Sequence, residues 1–432
     1  MKVDYAIVGA GAAGLMAART ILKLSGSATT VALFDRERGP GGRLASRDLG
    51  KGRGVVEMGA GRFSPSEHSR VVSLASEFGL STKPFEYELS PLQFGLHGQN
   101  RAILSSLFAD LGEAYEDRSD RERQRISLKE ACTEYLGNNK FEYIVEMCGY
   151  DTLQHADLSF EEGFQLVRHH PETSALFSGS DQSWLAFADG FSSLTRAMHA
   201  DLANKMTSCF NHELVSIRAL PGDEGYELLF DTPGGRRAVR AGKLVLALPA
   251  WANRSVEGLS FSRTIRDRIR PVPLLKAYFA YEEPWWTDLG VGGRCFSTAS
   301  LFRKVYFPSD GSSFLTVYCD GDSATKLNDA FNEDRALHDA FLAVIRDALP
   351  FATDPHAIPR PIDAGHRFWP HGISFWRGGM NLVPAGFWQI GDRACICSDL
   401  FSEQLGWAEG AMASAEAAAQ HLCLDVPQKR AA

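Results

Sequence analysis

The sequence predicts an α/β chain, α+β overall, in which a Rossmann-like nucleotide-binding domain is interleaved with a substrate domain of mixed sheet and helices. Three observations carry this. A glycine-punctuated strand and turn, Tyr5-Ala-Ile-Val-Gly-Ala-Gly-Ala-Ala-Gly14, opens the chain. A second glycine-rich segment, Gly406-Trp-Ala-Glu-Gly-Ala411, lies near its far end. Between them the strand-like segments change from continuous apolar runs to short alternating ones, so the chain is expected to leave the nucleotide domain and return to it.

In the first element an apolar strand runs into Gly9, Gly11 and Gly14, which permit a tight turn, close approach of backbone to a pyrophosphate, and close helix–strand packing. The helix that follows, through Ala13, aims its N-terminal amides at the phosphates. The second strand, Val31-Ala-Leu-Phe-Asp35, ends in an acid about twenty residues on, where a carboxylate holds ribose hydroxyls. Strand, turn, helix and acid together point to FAD; a glycine-rich turn without a nucleotide is the bland alternative. Residues 76–185 are polar and mostly helical in pattern. Phe191-Ser-Ser-Leu-Thr-Arg-Ala-Met198 reads as a helix start after Asp189-Gly190, and Lys243-Leu-Val-Leu-Ala-Leu-Pro249 as a buried parallel strand stopped by proline. From about 256 to 385, alternating strands such as Leu275-Lys-Ala-Tyr-Phe-Ala-Tyr281 and Phe314-Leu-Thr-Val-Tyr-Cys319 suggest a mixed sheet flooring a pocket. The strand Ala394-Cys-Ile-Cys397 and an alanine-rich helix from Trp407 to about Leu422 close the chain. Residues 1–75, 186–255 and 386–432 are accordingly expected to form the FAD-binding domain, and residues 76–185 and 256–385 the substrate-binding domain.

With 432 residues and an ordinary composition, the chain can bury a large core. A net charge of -8 with no basic run argues against nucleic acid or an anionic membrane as partner. Asp4 and the glycines interrupt the apolar N-terminus, which therefore does not read as a signal peptide, and no stretch is long enough to span a bilayer. The eight cysteines are scattered, with no CxxC pair and no histidine spacing typical of a metal site. A reduced, cytoplasmic protein acting on small molecules is expected.

Several strings resemble the flavin amine oxidase family, which includes monoamine oxidases and L-amino acid oxidases: Gly41-Gly-Arg43 after the ribose acid, Glu57-Met-Gly-Ala-Gly-Arg62, and the C-terminal GWAEGA segment. Within the family the resemblance is closer to the L-tryptophan oxidase branch of the violacein pathway. It is carried by Gly59-Ala-Gly-Arg-Phe-Ser-Pro65, Gly149-Tyr-Asp-Thr-Leu153, His170-Pro-Glu172, Glu283-Pro-Trp-Trp286, Arg303-Lys-Val-Tyr-Phe307, Trp369-Pro-His-Gly372 and Cys397-Ser-Asp399. The resemblance implies an FAD-dependent oxidase that turns an L-amino acid, L-tryptophan above all, into its imino acid by hydride transfer to flavin, with dioxygen reduced to hydrogen peroxide. A downstream imine-coupling enzyme and a homodimer are the candidate protein partners. Phe368-Trp-Pro-His-Gly-Ile-Ser-Phe-Trp376 lacks the cysteine that links flavin covalently in some relatives, so noncovalent FAD is expected.

The resemblance also implies roles for particular residues. Gly42 and Arg43 fold over the dinucleotide, with the guanidinium against a pyrophosphate oxygen. Gly59, Ala60, Gly61 and Arg62 face the flavin, and Val215 contacts the cofactor. Asp392 and Asp399 compete as the C-terminal flavin contact; Asp399, at the end of a buried strand, is preferred. An amino acid substrate brings a carboxylate whose burial must be offset by a cation, and Arg62 is the leading candidate, pairing with Glu57 or a phosphate being its alternative. Tyr306 matches a tyrosine that donates to the same carboxylate. Lys276 interrupts an apolar strand and matches a lysine that promotes reaction of reduced flavin with oxygen; a sheet-edge lysine is the alternative. Trp407 matches an aromatic wall beside the flavin, His170 a pocket histidine with His169 as the rival register, and Tyr150 a lining residue. An oxidase of another L-amino acid or of an amine lacking the carboxylate, or a noncatalytic flavoprotein partner, remain alternatives.

Overall fold

Alternation along the buried strands decides which layer each side chain joins. In a computed structural model of the protein, which describes residues 1–26, 28–91, 97–168, 183–249, 252, 255–259, 267–298, 300–333, 336–348, 358–377 and 386–424, strand Lys2–Val8 lies between the parallel strands Val31–Phe34 and Arg237–Leu246. Strand Thr207–Cys209 extends the sheet beyond Val31–Phe34, and Ala394–Ile396 runs parallel to Arg237–Leu246 on the other flank. Tyr5, Ile7, Leu33, Val245 and Cys395 point to one face, where helices Ala12–Ser25, Ser69–Glu77, Ser192–Leu202 and Ala408–Cys423 cover them. Ala6, Val8, Phe34, Leu244 and Ile396 point to the other, covered by the antiparallel strands Glu213–Ala219 and Tyr226–Asp231. Both faces are therefore dry, as parallel sheets require. Trp388–Gly391 completes eight strands.

A second sheet of six strands runs in the order Asp363–Trp376, Ile269–Ala280, Phe314–Asp320, Lys304–Phe307, Arg294–Ser297, Glu88–Pro91. All neighbours are antiparallel except the last pair. Leu275, Ala277 and Phe279 pack on the helices Gly321–Glu333 and Ala336–Ala348, so the intervening residues Leu274, Lys276 and Tyr278 face the opposite side. A helical layer, His97–Glu116 through Phe160–Arg168, caps one end around Phe108, Phe141, Phe160 and Phe164. Two short helices there, Asp120–Arg125 and Leu128–Leu136, start with Ser119/Glu122 and Ser127/Glu130 capping boxes. The eight cysteines are all free thiols, six of them buried. Among the described residues no helix is long and apolar enough to cross a membrane.

Candidate functional site

A cavity of about 700 Å³ runs between the two sheets and draws its lining from both. At one end the first strand ends in Gly9, at φ +108°, where a Cβ would lie 2.3 Å from the Ala247 carbonyl oxygen. A Cβ on Gly14 would lie 1.7 Å from the Gly9 carbonyl oxygen, so only glycine lets the helix pack this closely on the strand. Helix Ala12–Ser25 opens onto the cavity through Gly11, Ala12 and Ala13, with no side-chain cap and no acid in its first turn. Its first amides are thus left for an anion. Asp35 accepts from the Ala10 amide at 2.6 Å and the Glu37 amide at 2.8 Å, and burial raises its pKa against the pull of those two bonds. This is the donor and acceptor set of a diphosphate followed by a ribose, and it fits FAD.

The segment after Asp35 folds back over the helix start. Gly42, at φ +57°, comes so close that a Cβ would sit 3.3 Å from Gly11 Cα, and one on Gly59 would meet the Arg43 carbonyl oxygen at 1.9 Å. Arg43 donates to the Gly372 carbonyl at 2.8 Å and forms a forked ion pair with Asp399, two residues that the sequence assigned separately to the cofactor. Asp392 is not among the described lining residues of the cavity. Glu409 of the GWAEGA segment is 1% exposed and accepts from the Arg70 and Val71 amides and the Arg70 guanidinium, at 3.0–3.1 Å, which ties Ala408–Cys423 to the start of Ser69–Glu77.

At the other end, strand register builds a charged row. Arg367, Lys276, Tyr318 and Lys304 are direct cross-strand partners on four adjacent strands, and the first three line the cavity. Lys276 lies on an interior strand, flanked on both sides. Arg62 enters from the opposite loop, its guanidinium 5.2 Å from the Phe85 ring centroid. Arg367 stacks 4.1 Å over Trp369, whose indole N–H donates to the Met58 carbonyl at 2.7 Å. Trp407 stacks on Trp184 at 5.3 Å and meets His68 at 4.8 Å. His68 accepts from the Ser64 amide through Nδ1 at 3.0 Å, and burial lowers its pKa, so it is a neutral ring with its proton on Nε2. Asp320, fully buried at the cavity wall, is raised to about 6 by burial although it accepts from the Asp151 amide and from both the amide and hydroxyl of Thr152.

Gly9, Gly11, Ala13, Asp35, Gly42, Arg43, Gly59, Ala60, Gly61, Arg62, Asp399 and Trp407 all line this cavity, as do Lys276 and Tyr150. Gly14 serves packing instead. Two of the expected residues are not among the described lining residues. Tyr306 packs on Tyr87 and Phe85, with centroids at 5.1 and 6.4 Å; its cross-strand row, with Thr316, is two residues along from the row of Lys276, in which Tyr318 lines the cavity. Val215 falls at the register shift between its strand and Tyr226–Asp231, with its carbonyl taken by the Glu257 amide, and Leu214 is the lining residue. His169 and His170 lie outside the described residues. Sequence reasoning passed over Tyr318, Arg367, Asp320 and His68. An acid ending the strand Phe314–Asp320 was the one available signal; Tyr318 and Arg367 needed the strand register, and His68, at the start of helix Ser69–Glu77, needed the packing of that helix against Trp407.

A model of the family described as flavin containing amine oxidoreductase matches residues 12–423. Putrescine oxidase from Kocuria rosea is 23% identical over 474 residues, spanning 96% of this chain and 94% of its own. Among solved structures, a putrescine oxidase bound to putrescine superposes with a TM-score of 0.74 at 18% identity, covering 97% of this chain and 98% of its own. Cyclohexylamine oxidase from Brevibacterium oxydans gives 0.71 at 15% identity, with 98% of each chain covered.

Proposed function

The chain belongs to the flavin containing amine oxidoreductases and binds FAD, and from that premise we propose that it is an L-amino acid oxidase acting on aromatic substrates, L-tryptophan first among them. One observation carries the reading. The substrate end of the cavity presents three cations, Arg62, Lys276 and Arg367, while its one carboxylate among the described lining residues, Asp320, already accepts three hydrogen bonds. Such a surface suits a substrate that brings an anion. FAD, when bound, accepts a hydride from the carbon bearing the amine and yields the electrons to dioxygen, giving an imino acid and hydrogen peroxide.

In this reading Arg62 grips the substrate carboxylate through its forked guanidinium, and the Tyr318 hydroxyl donates to the same group. Lys276, one strand over, serves the reoxidation step. Tyr150, Trp369 and Trp407 supply flat apolar faces for an aromatic side chain and exclude water from the reacting carbon. Neutral His68 adds no competing charge. The strings shared with L-tryptophan oxidases support the choice of indole. A simple amine is the second reading, favoured by the carboxylate of Asp320 at the wall, and noncatalytic flavin retention is a third.

The test is anaerobic addition of L-tryptophan, tryptamine or putrescine to the purified holoenzyme while following the visible flavin band. Bleaching by L-tryptophan and not by the amines is expected, and Arg62→Ala should raise KM for L-tryptophan by about a hundredfold, the loss of one charge-assisted contact. Bleaching by an amine alone sinks the carboxylate reading, and no bleaching by any of the three removes support for the substrate claim.

A further inference from the structure

Arg303, Asp151 and Asp320 form a chain of contacts that ends at the cavity wall. Arg303 is buried and holds a left-handed backbone, φ +43°, a conformation that residues other than glycine seldom adopt. Its guanidinium donates to the Thr298 carbonyl at 3.0 Å and the Val145 carbonyl at 3.3 Å, and its Nε forms an ion pair with Asp151 Oδ1 at 3.0 Å. Asp151 Oδ2 accepts from the Ser323 amide at 2.9 Å. Gly321, at φ +58°, leaves room for that carboxylate, since a Cβ there would lie 2.7 Å from Asp151 Cβ. The Asp151 amide then donates to Asp320 Oδ1 at 2.7 Å, and the Thr152 amide to Oδ2 at 3.1 Å, with the Thr152 hydroxyl on the same oxygen. Asp320 lines the cavity, whereas Arg303 and Asp151 are not among its described lining residues.

Asp151 acts on Asp320 in two opposed ways. Its amide favours the ionised carboxyl, while its own carboxylate repels it; after burial, that repulsion does most to raise Asp320 to about 6. Arg303, paired with the same carboxylate, offsets the repulsion. We propose that Asp151 and Arg303 are positioning residues that act through Asp320, holding its carboxyl at the cavity wall and fixing, by their opposed charges, the charge it presents to the amine of the substrate. An ionised Asp320 attracts an arriving ammonium, and a protonated one does not. The proposal rests on the cavity being the substrate site and holds whether the substrate is an amino acid or a simple amine, because both bring the amine. On its other sides Asp320 faces Leu274 across the sheet, the first turn of helix Gly321–Glu333 with Asp322, and the cavity with Arg62, Lys276 and Arg367; Lys304 lies nearby against the Tyr150 ring. All of these stay in place in the variants below, so they do not enter the comparison.

The experiment reads Asp320 in two ways, in the wild-type holoenzyme and in Arg303→Gln, Asp151→Asn and the double variant. Infrared difference spectra against pH, taken without substrate, follow the carboxyl band that Asp320→Glu displaces. The acid limb of kcat/KM is followed from about pH 5 to about pH 9 with whichever substrate bleaches the flavin. In the wild type both should titrate near pH 6, with kcat/KM falling as pH drops and Asp320 takes up its proton. Arg303→Gln leaves the Asp151 charge unopposed and should move band and limb up by about one pH unit; Asp151→Asn removes the repulsion, keeps the guanidinium and should move both down by about as much. The double variant should return close to the wild type. Residues that only support the fold would lower kcat/KM evenly across the pH range. Single variants that shift the band in the same direction, or leave it in place, overturn the proposal, and so does a band that shifts as expected while the limb stays. If no substrate bleaches the flavin, the substrate reading fails, and the band alone decides whether Asp151 and Arg303 set the charge of Asp320. Should the variants not fold, the wild type decides: no Asp320 band titrating near pH 6 overturns the proposal.

Discussion

Glu57 sets burial against charge. Its carboxylate accepts from the Phe191 amide at 2.7 Å and the Ser46 hydroxyl at 2.6 Å, at the start of helix Ser192–Leu202. Gly61 separates it from Lys276: a Cβ there would lie 3.2 Å from Glu57 Cγ and 3.3 Å from Lys276 Nζ. Burial dominates and raises its pKa to about 7, against the opposing pull of Ser46, Lys276, Phe191 and Lys83. A carboxyl raised in the native state binds a proton there that the unfolded chain releases, so its contribution is full below its unfolded value and is lost as pH rises through about 7. The thermal midpoint of the holoenzyme should therefore fall between about pH 4.5 and pH 7, by a component that Glu57→Gln removes. A slope unaltered by that substitution would show that Glu57 does not titrate in this range.

At the scale of elements, the C-terminal helix does more than close the nucleotide sheet. Glu409, in its first turn, is the acceptor for the first amides of Ser69–Glu77, and Arg70 also reaches Glu416 at 2.6 Å. Replacing Glu409 with Ala leaves those amides without an acceptor in a dry junction. Urea unfolding should show stability reduced by about 2–4 kcal/mol with an unchanged slope; a loss under 1 kcal/mol would mean water reaches the amides. The elements themselves were largely readable beforehand. Val31–Phe34, the strand ending at Leu246, Ala394–Ile396, and helices Ser192–Leu202 and Ala408–Cys423 stand where apolar runs, proline and glycine signals put them. Periodicity is local, so it survives without tertiary information. The register shift that turns Leu214 rather than Val215 to the cavity has no such local mark.

For the whole molecule, the cavity couples the two sheets, because its lining alternates between Gly9–Asp35 on one and Lys276–Trp369 on the other. A ligand that bridges both stabilises them together. FAD at a hundredfold excess over its Kd should add about 2.7 kcal/mol of stability. Flavin release and the loss of tryptophan fluorescence should then coincide on heating, and the apoprotein should melt lower. Separate transitions in the holoenzyme would show that the cofactor leans on one sheet alone.

The sequence by itself determined the α/β class, the glycine turn with the acid that ends the next strand, the family and therefore the flavin. Each of these is written in residues close together in the chain, or in short strings whose chemistry permits few substitutes. Only the tertiary structure decided that Arg43 pairs with Asp399, that Tyr318 lines the cavity, and that the Lys304 ammonium lies against the Tyr150 ring. The row of Arg367, Lys276, Tyr318 and Lys304 joins four strands spread over the second half of the chain. A two-residue shift in any pairing would keep every side chain on its face yet put a different one against the substrate. That shift leaves the apolar pattern intact and is therefore invisible until the strands are packed.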